Sequence, residues 1–340
     1  MTTLKIIIPM AGLGKRLLPL TQQRPKPLLR LTDKRLLDHV LDSLRGLETT
    51  YSLEYIFIVG YRGEQIRAHM QAAHPDKKVI YYVQHELRGQ SHAVHLAKDA
   101  VAGPLLLTYC DTINIIDYAS VPLQTMEGVA WVLEIEDPRR HGVALVGPDG
   151  LITKLVEKPR TMEHKLALTG IYYFSEGKDL IKAIETQMER GTSLNNEYYL
   201  ADAINILVEN GIRVKAEKVL KWLDAGVPED ILATSASLLL QHYSLPHNDT
   251  TGMRSNVLIP PVYIHESSRV ENSIIGPNVS IGIDCTIRAS RIKNTIIDDN
   301  STLTEVLLED SLIGKGCQVR GTPLKSVIGD DQVVVHGARE

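Results

Sequence analysis

Residues 9–29 read PMAGLGKRLLPLTQQRPKPLL, a glycine-rich turn with cations in it and just behind it. The turn follows a short apolar run, Leu4–Pro9, and opens toward a helical stretch. A turn so placed aims free backbone N–H groups at one point, and the dipole of the following helix adds positive potential. Lys15, Arg16 and Lys26 bring side-chain cations to the same region. The combination suits a triphosphate. Two unit charges about 4 Å apart attract by about 4 kcal/mol at an effective dielectric of about 20, so several cations with backbone donors can hold a polyphosphate where one cannot. Other phosphate loops fit poorly. Gly12-x-Gly14-x-x-Leu17 lacks the third glycine of the dinucleotide fingerprint, and no acidic residue closes a second strand about 20 residues on. The G-K-[ST] ending of a Walker loop is also missing.

The elements that must carry this turn alternate. Leu4–Pro9, Tyr55–Val59, Val79–Gln84, Leu105–Cys110 and Val129–Ile135 are short, rich in Ile, Val, Leu and Tyr, and read as strands. Between them lie amphipathic stretches, Lys34–Leu47, Gly63–Ala73, Gln90–Ala102 and a weaker one at Asp117–Met126. Strand–helix alternation implies βαβ units and a mostly parallel sheet covered on both faces. Strands buried on both sides are apolar throughout rather than alternating. From about Ser175 the pattern becomes helical, at Lys178–Glu189, Asn196–Asn210 and Pro228–Tyr243. Residues 244–256, SLPHNDTTGMRSN, are polar with Pro and Gly and read as a linker.

A different texture follows. Aliphatic residues recur every six positions: Ile264 and Val270; Ile275, Ile281 and Ile287; Ile297 and Leu303; Ile313 and Val319; Ile328 and Val334. Gly or Asp usually follows the first of each set, as in Ile275-Gly276, Ile297-Asp298 and Ile313-Gly314. This period marks a solenoid whose inward aliphatic side chains stack from coil to coil. The segment resembles the left-handed β-helix, or hexapeptide-repeat, family. At about 18 residues per coil it makes some four coils.

Composition agrees with a folded, soluble chain. Of 340 residues, 44% are apolar and 23% charged, and 37 basic residues against 41 acidic ones leave a formal charge of −4. That balance argues against a nucleic-acid surface spread over the molecule. The odd set Cys110, Cys285 and Cys317, with no C-x-x-C, suggests neither a disulfide framework nor structural zinc. The N-terminal apolar run is too short for a signal segment or a membrane span. The expectation is a reduced, cytoplasmic protein with no membrane partner.

The long string after the first strand resembles the signature of the sugar-1-phosphate nucleotidyltransferases, G-x-G-x-R-L-x-P-x-T followed by P-K-P. Gly12, Gly14, Arg16, Leu17, Pro19, Thr21, Pro25, Lys26 and Pro27 all match. The rest of the chain then matches in order over about residues 3–240. Gln84 and Gly89, in YYVQHELRGQSHAV, look like the base-reading segment. Asp111, after LLLTYC, looks like a magnesium carboxylate at a strand end, where ligands collect in open α/β sheets. Asp224, in KWLDAGVPED, looks like the second. Gly142 matches the glycine that approaches the sugar, Glu157-Lys158-Pro159 the E-K-P motif, and Gly170 the G-[IV]-Y strand. Glu157 would hold sugar hydroxyls and Lys158 the sugar phosphate. Ala11, Gly12, Gly14, Lys15, Gln84 and Gly89 would line the nucleotide.

The resemblance implies a Rossmann-like three-layer α/β/α nucleotidyltransferase domain over 1–243, a linker over 244–256, and a short left-handed parallel β-helix over 257–340. It implies Mg²⁺, an NTP (dTTP or UTP favoured), a sugar-1-phosphate (glucose-1-phosphate favoured) and a homo-oligomer. The sugar phosphate oxygen would attack the α-phosphorus in line, with no covalent intermediate, so positioning and charge neutralisation carry the catalysis. Arg16, Lys26, Asp111, Lys158 and Asp224 are the candidate catalytic residues. The pattern departs from the family at Lys15, usually Thr or Ser, at Cys110 and Thr112 beside Asp111, and at Leu168 and Thr169. Cys110 reads as a packed thiol because no partner base is visible. Two alternatives stay open: a catalytically silent regulator that binds a nucleotide sugar, and a solenoid that acylates the sugar. Acyl transfer needs a general-base His, and because His265 and His336 lie at the two ends of the solenoid rather than mid-coil, a structural, oligomerising role is favoured.

Overall fold

A computed structural model describes residues 1–193, 196–243 and 255–321. Most of the expected linker, the hexad residues Ile328 and Val334, and His336 lie outside the described residues. The chain divides into two compact units, Met1–Ser237 and Leu238–Glu340.

The first unit begins β1 (Thr2–Pro9), α1 (Leu36–Ser43), β2 (Tyr51–Val59), α2 (Gly63–Ala73), β3 (Val79–Val83), α3 (Gln90–His95), β4 (Leu105–Thr108) and β5 (Thr112–Ile115). It continues β6 (Gly128–Glu134), β7 (Gly142–Val146), β8 (Ile152–Glu157), β9 (Leu166–Phe174), α4 (Gly177–Glu189), α5 (Leu200–Glu209), β10 (Val214–Lys218), β11 (Lys221–Asp224) and α6 (Pro228–His242). The main sheet runs β10-β6-β9-β4-β1-β2-β3, with the β7–β8 hairpin joined through β9. Along that path only β9 runs antiparallel to its neighbours. This is the Rossmann-like α/β fold with a mostly parallel sheet. Ile7, Ile56, Ile58, Leu105 and Leu107 pack with Val94, Leu180, Ile184, Ile204 and Leu207 of α3–α5. Leu4, Ile6 and Ile8 alternate to the other face and are equally buried.

Four expectations need correcting. Asp117–Met126 is not a helix but two 3₁₀ turns, Tyr118–Ser120 and Leu123–Thr125. Pro122 between them offers no N–H to an α-helical ladder. The stretch expected at Lys34–Leu47 is helical only from Leu36 to Ser43, then tightens to a 3₁₀ turn around Gly46. Gln90–Ala102 leaves the helix after His95 and ends in a 3₁₀ turn at Lys98–Ala100, with Ala97 already out of helical geometry. The helix expected from Asn196 starts at Leu200, because Tyr199 is extended and the Tyr198 backbone is bonded to Arg88 and Ser91. Strands β7, β8, β10 and β11 carry no expectation from the sequence reading, although the G-P-D-G turn at 147–150 closes the β7–β8 hairpin, whereas β9 holds Gly170 in the strand that the resemblance implies.

In the second unit the strands pair parallel with strands one coil away. Val257 pairs with Ile274, Ile274 with Arg291 and Arg291 with Leu307. Arg269, Thr286, Thr302 and Gln318 form a second such column. The coil is therefore 17 and then 16 residues long, shorter than the expected 18. Val270, Ile275, Ile281, Ile287, Ile292, Ile297 and Leu303 form its interior, joined by Leu308, Ile313 and Val319. Their spacing is six in some sides and five in others. Each five-residue side turns on one left-handed residue two places after the inward one: Asn272, Ala289, Asn294, Glu305 and Asp310. Each six-residue side turns three places after it, at Asn278, Asp284, Asn300 and Gly316. A strict period of six therefore misses Ile292 and Leu308. Asn and Asp recur at these corners because their short polar side chains tolerate the left-handed region. His265 lies at a corner without a left-handed residue, its Nδ1 accepting from the Ser267 backbone N–H.

Candidate active site

The chain places β2 and β3 on one side of β1 and then crosses to place β4 on the other. The carboxyl ends of β1 and β4 thus flank the point where strand order reverses, which is where open α/β sheets form a ligand crevice. The glycine-rich turn leaves β1, and Asp111 lies three residues past β4. Lys26 bridges them, its Nζ 2.5 Å from Asp111 Oδ2. It is buried at the start of a 3₁₀ turn that Pro27 helps to set. Thr21 folds the turn onto itself, its Oγ1 donating to the Gly14 carbonyl at 3.0 Å. The backbone of Ala11 seats on the exit of β2, where Tyr61 donates to its carbonyl. Gly12, Lys15 and Arg16 are exposed.

A second, smaller ladder brings the carboxylates together. β5 and β11 pair antiparallel with Thr112 opposite Asp224, and the Ala225 N–H donates to the Asp111 carbonyl at 2.9 Å. Residues 113 positions apart in sequence thereby become neighbours. Burial, first, and then the charges of Asp111 and Asp230 push the Asp224 carboxyl up to about 6, against the pull of Lys26. Arg16 reaches the same corner. A Cβ added at Gly226 would lie 3.2 Å from Asp224 Oδ2 and 3.6 Å from Arg16 Nη2. Burial and the neighbouring Asp111 push the Cys110 thiol up to about 12. It is a packed neutral thiol and not a nucleophile.

The E-K-P residues form another cluster. Gly142 pairs with Glu157 across β7–β8. A Cβ at Gly142 would meet Leu168 Cδ1 at 2.9 Å and Glu157 Oε2 at 3.1 Å, so a side chain there would crowd the carboxylate. Burial raises the Glu157 carboxyl, with Lys158 opposing and Asp202 adding. Lys158 donates its backbone N–H to the His141 carbonyl at 3.1 Å, and its Nζ to Tyr199 Oη at 3.3 Å. Gly170, on β9, lies against the Tyr109 ring and Thr112 Oγ1, and so against the β4–β5 connection that carries Asp111. Thr169 is engaged elsewhere, its Oγ1 donating to the Trp131 carbonyl.

Gln84 follows β3 directly and is buried. Its Nε2 lies 3.3 Å from the Gly89 carbonyl and 3.0 Å from His92 Nδ1. Gly89 has φ +95°, and the Tyr198 backbone passes so close that a Cβ there would sit 2.5 Å from its nitrogen. The segment Tyr198–Tyr199 therefore ties Gly89 to Lys158.

The sequence-derived residues thus gather as Lys26, Asp111, Asp224 and Arg16; as Gly142, Glu157 and Lys158; and as Gln84 and Gly89. Tyr199, His141 and Asp230 were not singled out. Tyr199 is 41 residues from Lys158 and carried no local signal. His141 stands edge-on to Trp222 with ring centroids 4.8 Å apart, and Asp230 acts on Asp224 from the first turn of α6.

Comparison with known proteins bears on the family and the fold. Residues 5–241 match the family model described as nucleotidyl transferase, and residues 258–338 match one described as GMPPB C-terminal domain. The low-salt glycan biosynthesis nucleotidyltransferase Agl11 of Haloferax volcanii is 30% identical, covering 93% of this chain and 94% of that protein. A glucose-1-phosphate thymidylyltransferase of Streptomyces antibioticus is 28% identical, with 93% of each chain covered. A crystal structure of UDP-glucose pyrophosphorylase complexed with UDP-glucose superposes with a TM-score of 0.61 over 71% of this chain and 100% of that one. At 20% identity it speaks for the fold. No helix among the described residues is long and apolar enough to cross a membrane.

Proposed function

The chain belongs to the nucleotidyl transferase family, and on that premise we propose that it joins an NTP to a sugar-1-phosphate, releasing pyrophosphate and an NDP-sugar. The observation that carries this reading is the meeting of Lys26, Asp111 and Asp224 at the crevice beside the glycine-rich turn. A uridine or thymidine nucleotide with glucose-1-phosphate is the favoured pair, in keeping with the thymidylyltransferase relative.

In the proposed reaction a sugar phosphate oxygen attacks the α-phosphorus. A new P–O bond forms, and the bond to pyrophosphate breaks with its electron pair leaving on oxygen. Both reactants are anions, so the protein must align them and offset their charge. Lys26, fixed by Asp111, braces the α-phosphate. Arg16 and the N–H groups of the turn hold the β and γ groups. Lys158, held by Tyr199, places the sugar phosphate, and Glu157 accepts from sugar hydroxyls across the open face of Gly142. Gln84 and Gly89 face the base. The donor set of Asp111 and Asp224 is all oxygen and carries two carboxyl groups close enough for one to raise the other, which fits a hard divalent cation. Mg²⁺ held there supplies charge neutralisation at the reacting phosphates.

For the C-terminal unit we infer a left-handed parallel β-helix, supported by its three columns of parallel strands and its single stacked interior. Its role in this reading is assembly of a homo-oligomer.

The test is pyrophosphate release with Mg²⁺ over a panel of NTPs crossed with sugar-1-phosphates. Asp111→Asn and Lys26→Ala are each expected to lower turnover at least about a hundredfold, the scale of losing one oriented electrostatic group. Near-normal turnover in both overturns the site. A blank panel in which nucleotides still raise the melting temperature identifies a silent nucleotide-sugar regulator instead.

A further inference from the structure

A cluster of three metal-ligating side chains lies on α1 and α2, outside every group used above. Asp38 Oδ1 receives His69 Nε2 at 2.7 Å and His74 Nε2 at 2.8 Å. The potential ligand atoms of the three all fall within 4.8 Å of one another. We propose that Asp38, His69 and His74 bind a zinc-class divalent cation.

Local structure explains how the two histidines come to share a target. Residues five apart on a straight α-helix point about 140° away from each other. α2, however, stops at Ala73, and His74 takes φ −137° and ψ 54°. That break swings its ring back to the side of His69. The two rings stand at 70° to one another with centroids 6.1 Å apart, and both present Nε2 to one carboxylate oxygen. The carboxylate is fixed before any ion arrives. Its other oxygen, Oδ2, accepts the Arg35 backbone N–H at 3.0 Å at the start of α1. Such a bond to the far side of a ligand orients it toward a metal.

The chemistry selects the class of ion. Two imidazoles and one carboxylate form a borderline nitrogen–oxygen set, suited to zinc or cobalt rather than to magnesium or calcium. Zinc sits about 2.0–2.2 Å from such ligands, so nitrogen and oxygen across a tetrahedral centre are about 3.3 Å apart. The two nitrogen–oxygen spacings need to open by only about half an ångström, and the two nitrogens, which lie within 4.8 Å of each other, come to the same tetrahedral separation when the rings close on the ion. Each imidazole would then carry its proton on Nδ1 and offer Nε2 to the ion. Side-chain exposures of 20% and 16% for the histidines leave a fourth position open to solvent. The competing reading is a purely hydrogen-bonded clamp between α1 and α2.

The experiment titrates Co²⁺ into the chelator-treated full chain and reads visible absorption, which is intense for tetrahedral and weak for octahedral cobalt. Zn²⁺ is then added in competition. A tetrahedral band that zinc quenches is expected. His69→Gln and His74→Gln should each weaken cobalt binding at least about a hundredfold, because even outer-shell partners cost about ten- to a hundredfold. In the unaltered chain, Zn²⁺ should shield both histidines from carbethoxylation, read by peptide mass spectrometry. Absence of the band and of the shielding overturns the proposal in favour of the clamp. A band kept by both histidine variants but lost in Asp224→Asn also overturns it, and assigns the ion to the catalytic carboxylates.

Discussion

Replacing Gly89 by alanine is the sharpest single-atom probe of the way the site is held. At φ +95° and ψ −177° Gly89 occupies a region that is essentially closed to residues with a Cβ. Forcing alanine into it costs about 1–3 kcal/mol. The new Cβ would also lie 2.5 Å from the Tyr198 nitrogen and 2.6 Å from its oxygen. That is about 1 Å inside ordinary contact, and the obstacle is backbone rather than a flexible side chain. Overpacking of this kind adds about 1–3 kcal/mol. A total near 4 kcal/mol is a large share of the roughly 5–15 kcal/mol that holds a domain. It corresponds to a fall in melting temperature of about 8–16 °C for a domain of this size. The control is Gly211→Ala, also at positive φ (+87°) but with no atom within 4 Å of the added Cβ, so that it carries no collision. Differential scanning fluorimetry of the two variants reads the difference. Because the displaced Tyr198–Tyr199 segment also holds Lys158, Gly89→Ala should raise the KM for the sugar phosphate as well as for the nucleotide. Equal melting temperatures for the two variants refute the collision. A KM effect confined to the nucleotide refutes the link to Lys158.

Two further outcomes follow from the same geometry. Burial lifts the Glu157 carboxyl above its ordinary value of 4.5, Lys158 lowers it and Asp202 lifts it further. A raised acid disfavours folding once it must ionise, so the penalty is absent below the unfolded value and grows as pH rises through it. Glu157→Gln should therefore be more stable than the parent in urea at neutral pH, with the gain vanishing near pH 4, while the KM for sugar phosphate rises; a gain that persists at pH 4 contradicts this. Ile292, fully buried where the interior spacing drops to five, should cost about 2–5 kcal/mol in the C-terminal unit on change to Ala. Its exposed neighbour Arg291 should cost little, and equal losses at both positions would count against the stacked interior.

The parts of this molecule that were legible in its sequence are those whose cause is local. β1 is apolar because both faces of its sheet are covered, and the turn after it announces itself through glycines and cations within a few residues. The inward residues of the C-terminal unit show through as a period. What escaped had a distant or compensated cause. The approach of Asp111 to Asp224, implied by the family resemblance and not by the residues themselves, depends on a two-strand ladder between segments about a hundred residues apart. Tyr199 reaches Lys158 only because it stays extended while the Tyr198 backbone bonds to Arg88 and Ser91, where the helical pattern of the sequence would have begun the helix earlier. The five-residue corners hid for a related reason. A left-handed Asn or Asp can sit two or three places after an inward residue, and either choice keeps the columns stacked. The coil length is thus decided by how each corner turns and not by the aliphatic residues that mark the repeat. Position by position, aliphatic spacing reports what is buried, whereas the corners and long-range ladders decide which buried or charged groups meet.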